Sequence, residues 1–276
     1  SGNQANYYHN QADTLNAISG DGRFVAFLSA ASNLVPNDTN ECEIPSGETI
    51  PCPDVFVRDL IDGTTERVST DSNGNEGNGR SVWSPAVSED GSLIAFTSYA
   101  GNLVDGLGGV SVSQRVFLHN RVTGGTTLVS RRVDGTPPWQ TRSPSISADG
   151  RYIAFHTHAP EIGSGDTNGA SDVFLYDRIL DVTHRVSNTS GGNEPDGGSS
   201  TAALSDDATM VVFTSEANNL SVSDTRIDAD VFLRDMMQSV PADGDDVDDS
   251  TEKNAPNGGD GNADGIPDSE KKNMNS

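Results

Sequence analysis

"ISADGRYIAFHTHAPEIGSGDTNGASDVFLYDRILDVTHRVSN", residues 146–188, holds most of one copy of a unit that this chain repeats. A short segment, Ser143 to Ser147, reads as a first strand. Asp149-Gly150 follows, a dipeptide that supplies positive φ cheaply and so marks a hairpin. "RYIAFHT" reads as a second strand, "DVFLYD" as a third after a long loop, and "VTHRVS" as a fourth after a turn. Strands two and three are apolar at consecutive positions, as in Ile153-Ala154-Phe155 and Val173-Phe174-Leu175. Consecutive apolar residues mean that both faces of the strand are buried. Sheets stacked radially as blades bury their inner strands in this way, whereas a two-sheet sandwich shows cleaner alternation.

The unit recurs. "ISGDGRFVAFLSAASNLV" begins at Ile18, "VSEDGSLIAFTSYAGNLV" at Val87 and "LSDDATMVVFTSEANNLS" at Leu204. The third-strand signature returns as "DVFVRDL" at Asp54, "RVFLHNR" at Arg115 and "DVFLRDM" at Asp230. Phe27, Phe96, Phe155 and Phe213 align, at spacings of 69, 59 and 58. An insertion between Cys42 and Cys52 lengthens the first interval, so the unit is about 58 residues. Self-similarity at such a period signifies a repeat architecture. The expected fold is all-β: a β-propeller with four blades, roughly 12–70, 80–131, 139–188 and 199–240, followed by an acidic calcium-loop tail over 241–276.

The net charge of −24, with Lys253, Lys271 and Lys272 as the only lysines, argues against nucleic acid and anionic membranes as partners. No apolar run approaches the roughly 20 residues that a spanning helix needs, so membrane insertion is not expected. The first residue is Ser1 rather than Met, read here as a mature or trimmed form. Cys42 and Cys52 lie ten residues apart in "CEIPSGETIPC" and read as a loop disulfide, which places the chain in an oxidising compartment.

The S-x-D-G-R-x-[VI]-A-F and D-V-F-[VL]-x-D signatures resemble the TolB-like propeller repeats of secreted and periplasmic bacterial proteins. The resemblance covers residues 12–238 and implies a secreted, extracellular or cell-surface location. It is specific for fold and poor for function. Copy four departs from it with Ala208 and Thr209 at the turn, and copy two with Arg115 and Asn120 in place of aspartates.

Copy four also stops early. After "DVFLRDMM" comes "QSVPADGDD", with no "RVS" strand and with Pro241, which cannot join a ladder. Residues 1–10 align with the loop that follows "RVS" in other copies, as in "TDSNGNEGNGR". Four completions stand open: "NQANYYH" recruited as a strand, a strand from a neighbouring chain, further blades of a longer protein, or a three-stranded blade. An uncovered edge invites association, so self-association or binding of other surface-protein chains is expected there.

In "DGNADGIPDSEK", Asp260, Asn262 and Asp264 occupy positions 1, 3 and 5 of a hard-cation loop. Gly265 makes the turn, Ile266 offers a carbonyl at 7, and Asp268 stands at 9. A degraded upstream copy places Asp243, Asp245, Asp249 and Glu252 at 3, 5, 9 and 12. Together they resemble thrombospondin type 3-like calcium repeats, and calcium is the expected cofactor. A weaker metal candidate is "GDTNGASD", with Asp166, Asn168 and Asp172, echoed by "NDTNE" at residues 37–41. The same residues also make ordinary Asx turns.

Nothing in the sequence reads as a catalytic constellation. There is no G-x-S-x-G elbow, and His156-Thr-His158 occupies positions that vary among the copies. Trp83, Trp139, Tyr7 and Tyr8 fall in or near inter-blade loops. The expectation is therefore no enzyme but an extracellular structural or interaction protein, stabilised by calcium and assembling at the cell surface, as a filament in the extreme case. The alternative is a propeller that binds glycan or peptide, or hydrolyses, through loops at one mouth of the ring.

Overall fold

The computed structural model describes residues 5–6, 16–43, 47–107, 113–131, 140–159, 162, 166–221 and 228–236. The 240/241 domain boundary lies outside them. The strands in chain order begin with β1 (Ala17–Ile18), β2 (Phe24–Ser29), β3 (Glu41–Glu43), β4 (Thr49–Pro51), β5 (Asp54–Asp59) and β6 (Thr65–Arg67). β7 (Ser81–Val87), β8 (Leu93–Ser98), β9 (Arg115–Asn120) and β10 (Gly125–Leu128) follow, then β11 (Arg142–Ile146), β12 (Tyr152–Thr157), β13 (Asp172–Asp177) and β14 (Val182–Arg185). β15 (Ser199–Leu204), β16 (Met210–Ser215) and β17 (Asp230–Asp235) complete the order.

They form antiparallel sheets in the orders β1-β2-β5-β6, β7-β8-β9-β10, β11-β12-β13-β14 and β15-β16-β17. A separate hairpin, β3–β4, is the insertion in the first sheet, and Cys42 and Cys52 are joined in a disulfide across it. No helix of the described residues is long and apolar enough to cross a membrane.

Each Asp-Gly hairpin is built the same way. The serine that opens S-x-D-G hydrogen-bonds the aspartate two residues on: Ser19 to Asp21, Ser88 to Asp90, Ser147 to Asp149 and Ser205 to Asp207, at 2.5–2.8 Å. The glycine at the next position has φ of +72°, +70° and +69° at Gly22, Gly91 and Gly150. Only glycine adopts that conformation without steric cost. Copy four places Ala208 there at φ +55°. Ala208→Gly is therefore expected to raise stability by up to about 1 kcal/mol, the cost of a left-handed alanine less the entropy of glycine; thermal unfolding checks it.

The arginine of D-G-R explains the aspartate that ends strand three. Arg23 reaches Asp59, and Arg151 reaches Asp177, each through Nε at 2.9 Å and Nη2 at 2.6 Å. The second carboxylate oxygen caps the following turn at the amides of Ile61 and Ile179. In copy two Ser92 stands in place of the arginine, and Asn120 caps the turn at Val122 and Thr123 alone. The Asn120 departure thus follows from the loss of its cationic partner.

One face of each sheet packs on the sheet before it, the other on the sheet after. Val55 and Val57 of β5 cluster with Ile94 and Phe96 of β8, and Val116 and Leu118 of β9 with Ile153 and Phe155 of β12. Val173 and Leu175 of β13 cluster in the same way with Val211 and Phe213 of β16. Within each sheet two phenylalanines sit opposite one another, Phe27–Phe56, Phe96–Phe117, Phe155–Phe174 and Phe213–Phe232, with ring centroids 5.7–6.0 Å apart. Phe96, Phe155 and Phe213 are fully buried. Phe27 is only half-buried, because no sheet precedes the first one among the described residues.

The first strands of neighbouring sheets approach one another, β7 with β11 and β11 with β15, so they mark the axis side of the stack. Each carries a bulge, with positive φ at Trp83 (63°), Ser143 (51°) and Thr201 (51°). A left-handed tryptophan alone would suggest stored strain. Its repetition with serine and threonine makes it part of the blade.

Candidate functional site

The loop Asp166-Thr167-Asn168 and the loop Asp38-Thr39-Asn40 occupy the same place in the third and first sheets, beside the start of strand three. In the third sheet, Asp172 opens β13 and its side chain is fully buried. It accepts a hydrogen bond from Ser187 Oγ at 2.6 Å and one from Arg185 Nη1 at 3.1 Å. Arg185 Nη1 also donates to Glu194 at 2.7 Å. Glu194 in turn accepts from the Thr167 amide at 2.8 Å and its hydroxyl at 2.6 Å. The first sheet repeats this. Ser69 Oγ donates to Asp54 at 2.6 Å, Arg67 Nη1 to Glu76 at 2.5 Å, and Thr39 to Glu76 from amide and hydroxyl at 2.9 and 2.8 Å. Arg67 Nη1 further stands 3.5 Å from Asp38 and 3.7 Å from Asp54.

Asp38, Asp54 and Glu76, and likewise Asp166, Asp172 and Glu194, each bring three carboxylate oxygens within 4.8 Å of one another. That spacing suits a hard cation, which takes oxygen ligands at about 2.3–2.6 Å. Here a guanidinium nitrogen supplies the positive charge and ties four separate segments together at one rim of the sheet. Of the weaker metal candidates, Asp166 and Asp172 are brought together. Asn168 turns instead to the backbone, accepting from Ala170 N at 2.6 Å and donating to Pro195 O at 2.8 Å.

One arginine does not neutralise three carboxylates, and the surplus shows in their protonation. Burial pushes Asp54 up to about 7, against the hydrogen bond from Ser69 and the charge of Arg67. Burial and the neighbouring Asp172 hold Asp166 up at about 6. Burial would raise Glu194 as well, yet its two bonds from Thr167 and the Arg185 contact bring it down to about 2. A raised carboxylate holds its proton more tightly in the folded chain, so its contribution is complete below the unfolded value of 3.8 and is lost as pH rises through about 7. Stability is expected to fall across that window and to fall less steeply in Asp54→Asn, which urea unfolding at stepped pH would show. The Arg23–Asp59 and Arg151–Asp177 pairs act oppositely: hydrogen bonds from Arg23 depress Asp59, and at Asp177 burial is outweighed by the bonds from Arg151 and from the Ile179 and Leu180 amides together. Their contribution is present above 3.8 and is lost on acidification.

Sequence reasoning missed Arg67, Arg185, Ser69, Ser187, Glu76 and Glu194. The signal was present: in copies one and three the arginine of "RVS" precedes a glutamate by nine residues. Copy two replaces the set together, with Arg115, Leu128 and Pro137 at the places of Asp54, Arg67 and Glu76. The tail residues Asp243, Asp245, Asp249, Glu252, Asp260, Asn262, Asp264, Ile266 and Asp268 lie outside the described residues, as do His9, Tyr7, Tyr8 and Trp139. His156 lies on β12 and His158 beyond its end; burial and the charge of Arg142 hold His156 down at about 4. Trp83 is part-exposed on the axis side, with the Arg142 guanidinium 5.6 Å from its ring.

No family model matches the chain, and no curated protein does. Solved structures do. TolB from Acinetobacter baumannii is 17% identical, over 81% of this chain and 41% of that one, at a TM-score of 0.47. The β-propeller domain of the Trilobed protease from Pyrococcus furiosus is 10% identical, over 80% and 54%, at 0.46. A prolyl endopeptidase is 14% identical, over 80% and 28%, at 0.47. The chain thus spans between about a quarter and a little over half of these proteins. The sheets described above are all-β, and the solved structures similar to this chain include TolB and a β-propeller domain. The expectation that the chain is no enzyme is corrected: the solved structures similar to it include that prolyl endopeptidase, the tricorn protease and an oligogalacturonate lyase.

Proposed function

We propose that this chain is a four-bladed propeller module of an extracellular structural or interaction protein, stiffened by calcium in its tail and assembling at the cell surface. The observation that carries the reading is the fourth sheet, which has three strands among the described residues where the others have four. Its outermost strand, β17, carries a row of backbone N–H and C=O groups of the kind that strand addition satisfies. The disulfide of the β3–β4 insertion and the net charge of −24 support an oxidising, extracellular setting.

Calcium enters through Asp260, Asn262, Asp264, Ile266 and Asp268, with Asp243, Asp245, Asp249 and Glu252 as a second set. Without a cation those carboxylates repel one another and have no apolar core to order them. In calorimetry of the full chain, calcium at up to millimolar concentration is expected to give a saturable heat that drops at least tenfold in affinity in the double variant Asp260→Asn, Asp264→Asn. Absence of any heat would reject the calcium reading. Light scattering and electron microscopy in calcium and in chelator test assembly: oligomers or filaments are expected in calcium, and a monomer in both conditions rejects it.

A second reading, glycan or peptide binding near the axis, draws on the part-exposed Trp83 beside Arg142. Saturable quenching of tryptophan fluorescence by an oligosaccharide or peptide, abolished in Trp83→Ala, would favour it.

A further inference from the structure

We infer that the exposed face of the fourth sheet is a docking surface for the first sheet of a second copy of this chain, the two copies stacking head to tail. The inference rests on the assembly reading above and names the surfaces that carry it. In the first three sheets the residues that face the following sheet are buried: Ala26, Val55 and Val57, then Ala95, Val116 and Leu118, then Ala154, Val173 and Leu175. The same positions in the fourth sheet are Val212, Val231 and Leu233, and they are 39%, 72% and 64% exposed. They are apolar like their counterparts, and among the described residues no sheet covers them.

The chain carries the complement at its other end. Ile94 and Phe96, Ile153 and Phe155, and Val211 and Phe213 are each buried under the preceding sheet. Their counterparts Val25 and Phe27 are half-buried, and Ile18 beside them is 60% exposed. The interface between a Val-x-[VL] face and an [IV]-x-Phe face is therefore made three times among the described residues, and one face of each kind is left over. Among the described residues these leftover faces do not cover each other: the main strand contacts run from sheet one to two, two to three and three to four, and Val231 and Leu233 stay exposed.

The hairpin backbone points the same way. Glu89 N donates to Ala148 O, and Ala148 N to Asp206 O, each at 2.9 Å, linking successive S-x-D-G turns. The next bond in the series would join Asp206 N to Gly20 O of the second copy. If both contacts form between two copies, they close a ring of eight sheets, within the range that propellers use. If the rotation per sheet does not close, the same contact propagates as a filament.

The test uses the full chain in calcium, by sedimentation over a concentration series. The wild type is expected to associate, and Leu233→Glu and Ile18→Glu each to weaken association at least tenfold. Both sites are exposed, so circular dichroism is expected to match the wild type. Mixing the two variants is the decisive arm. Each keeps one good face, so the mixture is expected to form a dimer and go no further. If the wild type associates and both variants associate equally well, assembly uses another surface and this inference fails while the assembly reading stands. A wild type that stays monomeric overturns both.

Discussion

Arg185→Ala is expected to cost about 3–5 kcal/mol of folding stability, and Arg67→Ala a similar amount, because each leaves buried carboxylates without their counter-ion. The side chain of Asp172 is fully buried and that of Arg185 is 9% exposed, so water does little to screen the loss. Removing the guanidinium also cuts the bond that ties Glu194 to β14, leaving Glu194 held by Thr167 alone. Part of the cost is recovered by protonation, since Asp172 is already raised by burial against its bonds from Ser187 and Arg185. The loss is therefore expected to be larger at pH 8 than at pH 5. The pair Arg185→Met with Asp172→Asn separates charge from packing: it should cost less than Arg185→Ala alone, because no uncompensated charge remains. Urea midpoints measure all three variants. A loss below about 1 kcal/mol for Arg185→Ala would place the cluster among the weak surface pairs.

Phe155→Ala is expected to cost about 3–5 kcal/mol, as is typical of a buried aromatic cut back to a methyl group. Its ring is fully buried, stacks on Phe174 at 6.0 Å and lies in the cluster that joins the second and third sheets. Phe96→Ala should match it. Phe27→Ala should cost clearly less in the isolated chain, because that ring is only half-buried and no sheet precedes it among the described residues. The difference is informative about assembly: under conditions where the chain associates, the cost at Phe27 should rise toward that at Phe155. Equal costs at Phe27 and Phe155 in a monomer would show that the first sheet is covered already. A small cost at all three positions would overturn the equivalence of the repeats.

The strands were legible because each repeat states its own local rule. Ser-x-Asp-Gly makes a turn from side-chain and backbone bonds two residues apart, and Ile-Ala-Phe beside Val-Phe-Leu requires burial on both faces. These are short-range facts, repeated in three copies and kept with Ala208 for the glycine and Val-Val-Phe for the second strand in the fourth, and the sheets follow them. The rim clusters were only half legible. Asp166 and Asp172 were visible as an Asx-rich loop, but their partners Arg185 and Glu194 come from segments 13 and 22 residues beyond Asp172. Only the antiparallel pairing of β13 with β14, which sets Phe174 opposite Arg185, brings them to one rim. Likewise the sequence shows that the fourth copy lacks its "RVS" strand, while the exposed Val231 and Leu233 became visible only in the tertiary structure. By itself the sequence determined the turn, the strand period and the repeat, since those depend on neighbours along the chain. Which identical residues are covered and which are exposed was decided by the stacking of sheets, because burial depends on what lies across an interface and not on the residues beside it in sequence.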